Sequence, residues 1–224
     1  MGDEDLGARL KAAAEKLVGG DALTSKYGLD CFALVDKLLR GLGAATAADG
    51  DVAVTATADY DWGDGILLDS IQPGDILQFN KHVVDIATWK YANGQWYEAE
   101  GRTLTRPHHT AIVMEVRKDG SVVVVEQNVR PSPGKVTRNV IPRLDAGEET
   151  RKVNSEEKIK LKVTGAVRAY RPIPKPAKGA SLLHPGKSAG RSMLAGRTPI
   201  QGGAKRAPGP VGIGRWHGDD DSPA

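Results

Sequence analysis

Two short runs constrain this chain more than anything else in it. HTAIVMEVR (109–117) and SVVVVEQNV (121–129) are apolar, β-branched and of strand length, and only Lys118-Asp119-Gly120 separates them. Branched side chains suit a pleated, half-buried surface. An Asp-Gly pair between two such runs is a hairpin signal, because a tight turn needs residues that tolerate positive φ. An antiparallel hairpin is therefore the reference from which the rest is read.

Around it the pattern predicts further strands. DILQFN (75–80) follows the turn Gln72-Pro73-Gly74, QWYEAEG (95–101) reads as another strand, and KIKLKVTGAVRAYR (158–171) as a last one, bent at Gly165. Upstream the period changes. Leu6, Leu10, Ala13, Ala14, Leu17 and Val18 recur at helical spacing within 4–18, before Gly19-Gly20. CFALVDKLLR (31–40) predicts a second helix, with Asp30 as N-cap and Gly41 as stop. Residues 42–72 read as a long connection and 143–157 as a solvated loop. Helices followed by strands predict an α+β fold, with N-terminal helices packed on an antiparallel β-sheet.

Composition matters mainly at the C-terminus. From Pro172 to Ala224 there are eight Lys or Arg against three Asp, with eight of the 13 prolines and ten of the 27 glycines. That stretch has no apolar period and cannot offset its ordering entropy, so it is expected to be a disordered basic tail. The expected organisation is 1–26 as an N-terminal helix and extension, 27–171 as the globular domain and 172–224 as the tail. A net charge of +3 does not mark a nucleic-acid binder. The tail's own charge allows contact with a polyanion or a partner protein. No apolar run reaches the ~20 residues of a membrane span, and the N-terminus has no recognisable signal peptide. Only Asp21 and Asp30 lie near Cys31, so no metal is expected, and DYDWGDG (59–65), whose acids are out of phase with a calcium loop, reads as a plain loop.

Cys31 is the only cysteine. A lone cysteine excludes an internal disulfide and a thiolate metal site. Its place at a predicted helix start offers partial positive charge and free N–H groups, which favour a thiolate; the bland alternative is a small buried hydrophobe. A thiol nucleophile needs an imidazole base and a group that orients it. Of five histidines, His184 and His217 fall in the tail, and His82 lies near a predicted strand end with no evident polar partner. His108 and His109 open the strand HTAIVMEV. Alternation places His109 with Ala111 and Val113. On the partner strand it places Glu126 and Asn128 with Val122 and Val124, and Gln127 on the other face. Either polar residue is a candidate orienter, or both simply mark the strand's exit into solvent.

In order, GLDCFALVDKLL, QPGDILQF and HHTAIVMEVRKDGSVVVVEQNV resemble a CHAP domain, the cysteine, histidine-dependent amidohydrolase/peptidase of the NlpC/P60-like papain superfamily. The resemblance covers about 27–170. Its most specific parts are His109-Thr110-Ala111-Ile112-Val113 and Glu126-Gln127-Asn128. Asp30, rather than Gln, precedes Cys31. The resemblance implies a papain-like NlpC/P60-type core and a catalytic set of Cys31, His109, Glu126 and Asn128, with Glu126 favoured as the orienter. It implies a thioester route to amide hydrolysis, no cofactor, and a peptidoglycan peptide as substrate. The alternatives are a protein or conjugate amide as substrate, and a non-catalytic module with a polyanion-binding tail.

Overall fold

Alternation runs much further than the sequence predicts. The structure, a computed structural model, describes residues 5–25, 30–50, 53–55, 58 and 60–175. These belong to one compact unit, Met1–Leu183. The elements are α1 (Leu6–Glu15), α2 (Asp30–Gly41), β1 (Asp64–Ile66), β2 (Ile76–Ala92), β3 (Gln95–Val116), β4 (Val122–Val129), β5 (Ser132–Ile141), β6 (Gly147–Lys152) and β7 (Glu157–Arg171), with single 3-10 turns at Ala47–Asp49 and Leu68–Ser70. The strands form one seven-stranded sheet in the order β1-β7-β2-β3-β4-β5, with β6 added beside β7. Every pairing is antiparallel.

The α+β expectation, a papain-like NlpC/P60-type core with helices packed on a sheet, is therefore corrected. Strand makes up 52 % of the described residues and helix 17 %, and the α-helices are only two and short, so the architecture is a mostly antiparallel β-sheet. Three stretches account for the difference. Residues 81–94 are not a break between strands: β2 continues through them and turns at Asn93-Gly94, where φ is 52° and 81°, a two-residue hairpin turn of the favoured kind. QWYEAEG and HTAIVMEV are two ends of the single strand β3. The supposed loop 143–157 holds β6, whose GEETRK sequence has no apolar face. It is held by its ladder to β7 and by ion pairs of Arg143 and Arg151 with Glu149. Such charge on an outer strand also discourages edge-to-edge association.

The bend expected at Gly165 is present. Two residues of β2, Lys81 and His82, oppose the single Gly165, and the register shifts there. Lys81 has φ 51° and Gly165 φ 85°. A Cβ at 165 would collide with the Lys81 carbonyl oxygen, so only glycine fits. This bulge changes which residues face the core. Odd-numbered Phe79 before it and even-numbered His82 after it share a face, 5.2 Å between their rings, and even-numbered Val84 and Ile86 are buried beyond. β3 switches likewise, from Leu104 to Ala111 and Val113.

The helices are short but tied down. Asp5 caps α1 by accepting from the Gly7 N–H at 3.0 Å, and Leu10 and Ala14 are buried. In α2, Phe32, Val35 and Leu39 recur on one face and join Ile112, Met114, Val123 and Val125 in one apolar cluster. Each such fully buried large side chain is worth about 1.5–3 kcal/mol. That cluster anchors the first turn of α2 against β3 and β4. Among the described residues no helix is long and apolar enough to cross a membrane.

The far end of the β2–β3 hairpin is different. No residue of 87–103 is buried. It is dressed instead by Tyr91 on Trp96 at 5.4 Å and by Lys158 and Lys160 over Trp96 and Trp89 at 4.0 and 4.1 Å. Past β7, Pro174 bridges Ala44 and Lys175 pairs with Asp49 at 2.7 Å. The rest of the expected tail, 176–224, lies outside the described residues.

Candidate active site

β3 and β4 are paired only from Val116↔Val122 to Ile112↔Val125. Beyond that point they part: β3 stays with β2, and β4 stays with β5 as far as Val129↔Ser132. The parting opens a cleft of about 570 Å³. Cys31 and Tyr60 line one side of it, and the 103–110 stretch of β3 and residues 127–130, the end of β4 and the residue after it, line the others. The expected nucleophile and base thus share one cavity, although they are 78 positions apart.

Cys31 is the second residue of α2, and it is half-buried. Its Sγ is 3.8 Å from the main-chain oxygen of His108. His109 is 7 % exposed. Its imidazole lines the same cavity as Cys31, close enough for the two groups to interact. Its Nε2 lies 2.9 Å from Glu126 Oε2, at ion-pair distance but out of line for a well-aligned hydrogen bond. Burial alone would push the imidazole toward its neutral form. The adjacent Cys31 thiol and Glu126 carboxylate outweigh that and raise its pKa to about 9. A ring held cationic at neutral pH is the counter-ion that a thiolate needs.

Glu126 is fully buried. Burial would raise its pKa, but Arg106 and His109 dominate and hold it at about 2. Arg106 donates through Nε to Oε2 at 2.9 Å and through Nη2 to Oε1 at 2.5 Å. Asn139 Nδ2 donates to Oε1 at 2.9 Å. With His109, both carboxylate oxygens have two partners each. Of the two candidate orienters, then, Glu126 is the one beside the imidazole. Asn128 also lines the cleft, but its φ is 62° and its Oδ1 accepts from the Gly134 N–H at 3.1 Å. It shapes the turn between β4 and β5. The pairing of these strands shifts at that residue, so the alternation that aligned Asn128 with Glu126 ends there.

Gln127 does face away, as alternation requires. It is buried, accepts from the Leu23 N–H at 2.9 Å and donates to the Leu23 carbonyl at 2.7 Å. It thereby fastens the segment leading to α2. Gln78 braces the cleft wall from β2, accepting from Trp62 Nε1 and Thr110 Oγ1, each at 3.0 Å. His82 is not at a strand end: it is buried in the bulge against Phe79, 5.2 Å between rings. Burial, then the charge of Arg106, pushes its pKa down, so it stays neutral beside the charged network.

Arg106 and Asn139 were not apparent from sequence. Arg106 precedes His109 by three, which strict alternation assigns to the opposite face; the bulge puts both on Glu126. Among the described residues no cluster of three or more His, Cys, Asp or Glu side chains is arranged to hold a metal. Compared with known families, residues 2–181 match a family model described as the AIM3/BBC1 cysteine proteinase-fold domain. No curated protein and no solved structure matches the chain.

Proposed function

Because the chain belongs to the AIM3/BBC1 cysteine proteinase-fold domain family, we propose that it is a thiol hydrolase that cleaves an amide bond through a thioester. The observation that carries this is that His109 shares one cleft with Cys31 while its Nε2 lies 2.9 Å from Glu126 Oε2. In the proposed reaction the Cys31 thiolate attacks the amide carbonyl carbon. The oxyanion is met by the Cys31 backbone N–H at the helix start. The His109 imidazolium gives its proton to the departing amine as the C–N bond breaks. Neutral His109 then takes a proton from water, the hydroxide displaces the thiolate, and the acid product leaves with Cys31 restored. Glu126 fixes the ring and favours its cation.

The substrate reading draws on the same cleft. Among the described residues β3 has no strand partner on its cleft edge before Ile112, and the His108 carbonyl on that edge stands beside the nucleophile. An extended peptidyl segment suits a free strand edge, because its main chain completes the ladder. Within that class the CHAP-like motifs favour a peptidoglycan peptide, and an unfolded protein segment is the other choice. Purified sacculi and an unfolded fluorescent protein, each incubated with wild type and with Cys31→Ala, distinguish the two.

The reaction class has its own test in the rate of Cys31 alkylation by iodoacetamide against pH. Wild type is expected to react fast down to about pH 6, well below the ordinary thiol midpoint of about 8.5. His109→Ala is expected to slow it at pH 6 by tenfold or more and to return the midpoint toward 8.5. A wild-type midpoint already at 8.5 overturns the hydrolase reading.

A further inference from the structure

We infer that Arg106 is a positioning residue for the proposed reaction: its guanidinium keeps the Glu126 carboxylate charged and turned so that one oxygen meets His109. The inference rests on the hydrolase reading and extends it to a residue outside the motifs.

Arg106 is 5 % exposed and Glu126 fully buried, so neither charge is solvated. A buried ion pair is weak evidence of a stabilising role, since apolar residues of similar volume serve as well or better. What distinguishes this pair is where the rest of the carboxylate goes. The planar fork of Arg106 occupies one lone pair on each oxygen, a geometry that arginine imposes and lysine does not. Asn139 takes a second site on Oε1. The remaining contact, on Oε2, is His109 Nε2. The carboxylate plane is thus set by groups that do not react, and the imidazole meets a fixed acceptor.

The backbone is built for this contact. The bulge at Lys81 and His82 shifts β2 against β7, while β2 and β3 stay in register, His82 opposite Arg106 and Phe79 opposite His109; Arg106 lies over the face of Phe79, its guanidinium 5.7 Å from that ring. Phe79 also packs 6.2 Å from the ring of His109. The groups around the imidazole are then Cys31, Glu126 with Arg106 behind it, and the apolar Phe79; neutral His82 lies beyond that ring. Without the guanidinium, a buried carboxylate takes up a proton. His109 then loses its anionic partner, and the thiolate–imidazolium pair loses population near neutral pH.

The test is the iodoacetamide pH profile of Cys31 in the full chain, beside thermal unfolding of each variant. Arg106→Gln is expected to move the rising limb upward by about one pH unit or more and to slow alkylation at pH 6 by about tenfold. Arg106→Lys, which keeps the charge but loses the fork, is expected to fall between it and wild type. A merely structural arginine lowers the unfolding temperature and leaves the limb of the folded protein in place. That result overturns the inference while the acid-shifted wild-type limb still supports the hydrolase. Should the Arg106 variants not fold, Glu126→Gln and Glu126→Gln/Arg106→Met carry the test, since the double variant has no uncompensated charge. Identical alkylation profiles for these two support an arginine that acts through Glu126, and different profiles overturn it.

Discussion

Replacing Cys31 by alanine is expected to reduce hydrolysis by a factor on the order of 10³ or more while leaving the fold almost as stable as before. The first half follows from the chemistry: members of a nucleophile–base unit act together, and losing the nucleophile costs nearly the whole effect of the unit. The second half follows from position. Cys31 is half-buried at the cleft rather than in the core that anchors α2, so its truncation opens no sealed cavity. A change within about 1 kcal/mol is expected, as for substitutions away from packed features. Steady-state hydrolysis and urea unfolding of the same preparations check the two halves. A variant that keeps a tenth of wild-type activity would place the nucleophile elsewhere.

Glu126 shows the opposite combination. Glu126→Ala removes the counter-charge of a buried arginine and leaves three donors without their acceptor. Breaking such a pair from one side costs about 3–5 kcal/mol, a large part of the 5–15 kcal/mol that typically separates a folded domain from its unfolded chain. The unfolding temperature is expected to fall by about 10 °C or more. The pH dependence has two limbs. Glu126 titrates near 2 when folded and at 4.5 in its unperturbed state, so its contribution is complete above 4.5 and lost as pH falls toward 2. His109 titrates near 9 when folded and at 6.5 in its unperturbed state. Its contribution is complete below 6.5 and lost as pH rises toward 9. The urea midpoint of wild type should therefore be flat from about 4.5 to 6.5 and decline on the alkaline side. Glu126→Gln should make that alkaline decline shallower, because the carboxylate is one of the two groups that hold the imidazolium. An unchanged decline would show that His109 draws no stability from it.

What the sequence shows of this molecule is what short-range chemistry controls. The Asp-Gly hairpin, the helix carrying Cys31, the bend at Gly165 and the adjacency of His109 and Glu126 all follow from local pattern. Asn93-Gly94 is as strong a turn signal as Asp119-Gly120, and it alone would have joined 75–80 to 95–117 as one long hairpin. Other features are not local. β6 is polar on both faces, so only its pairing with β7 makes it a strand. Arg106 reaches Glu126 through a change of frame that alternation does not foresee. Asn128 leaves the line of Glu126 because a positive-φ residue ends the alternation. In each case the pairing of distant strands decided the outcome, which is also why an α+β layering was expected of a chain that is mainly sheet.

The long β2–β3 hairpin has one further consequence. Around Ile112 and Met114 the strand β3 lies in the core beneath α2, whereas between residues 95 and 103 no residue is buried and the strand is held by the ladder, a few aromatic and lysine contacts and the Thr103–Asp85 hydrogen bond. Amide protons near Ile112 should exchange with solvent only when the whole domain unfolds, and those near Trp96 through local opening at far lower free energy. Amide exchange measured along β3 should show a steep gradient, rising in protection from the tip toward His109. The tip can then fray repeatedly while the cleft keeps its shape, so the histidine rides on a strand whose far end melts independently of it.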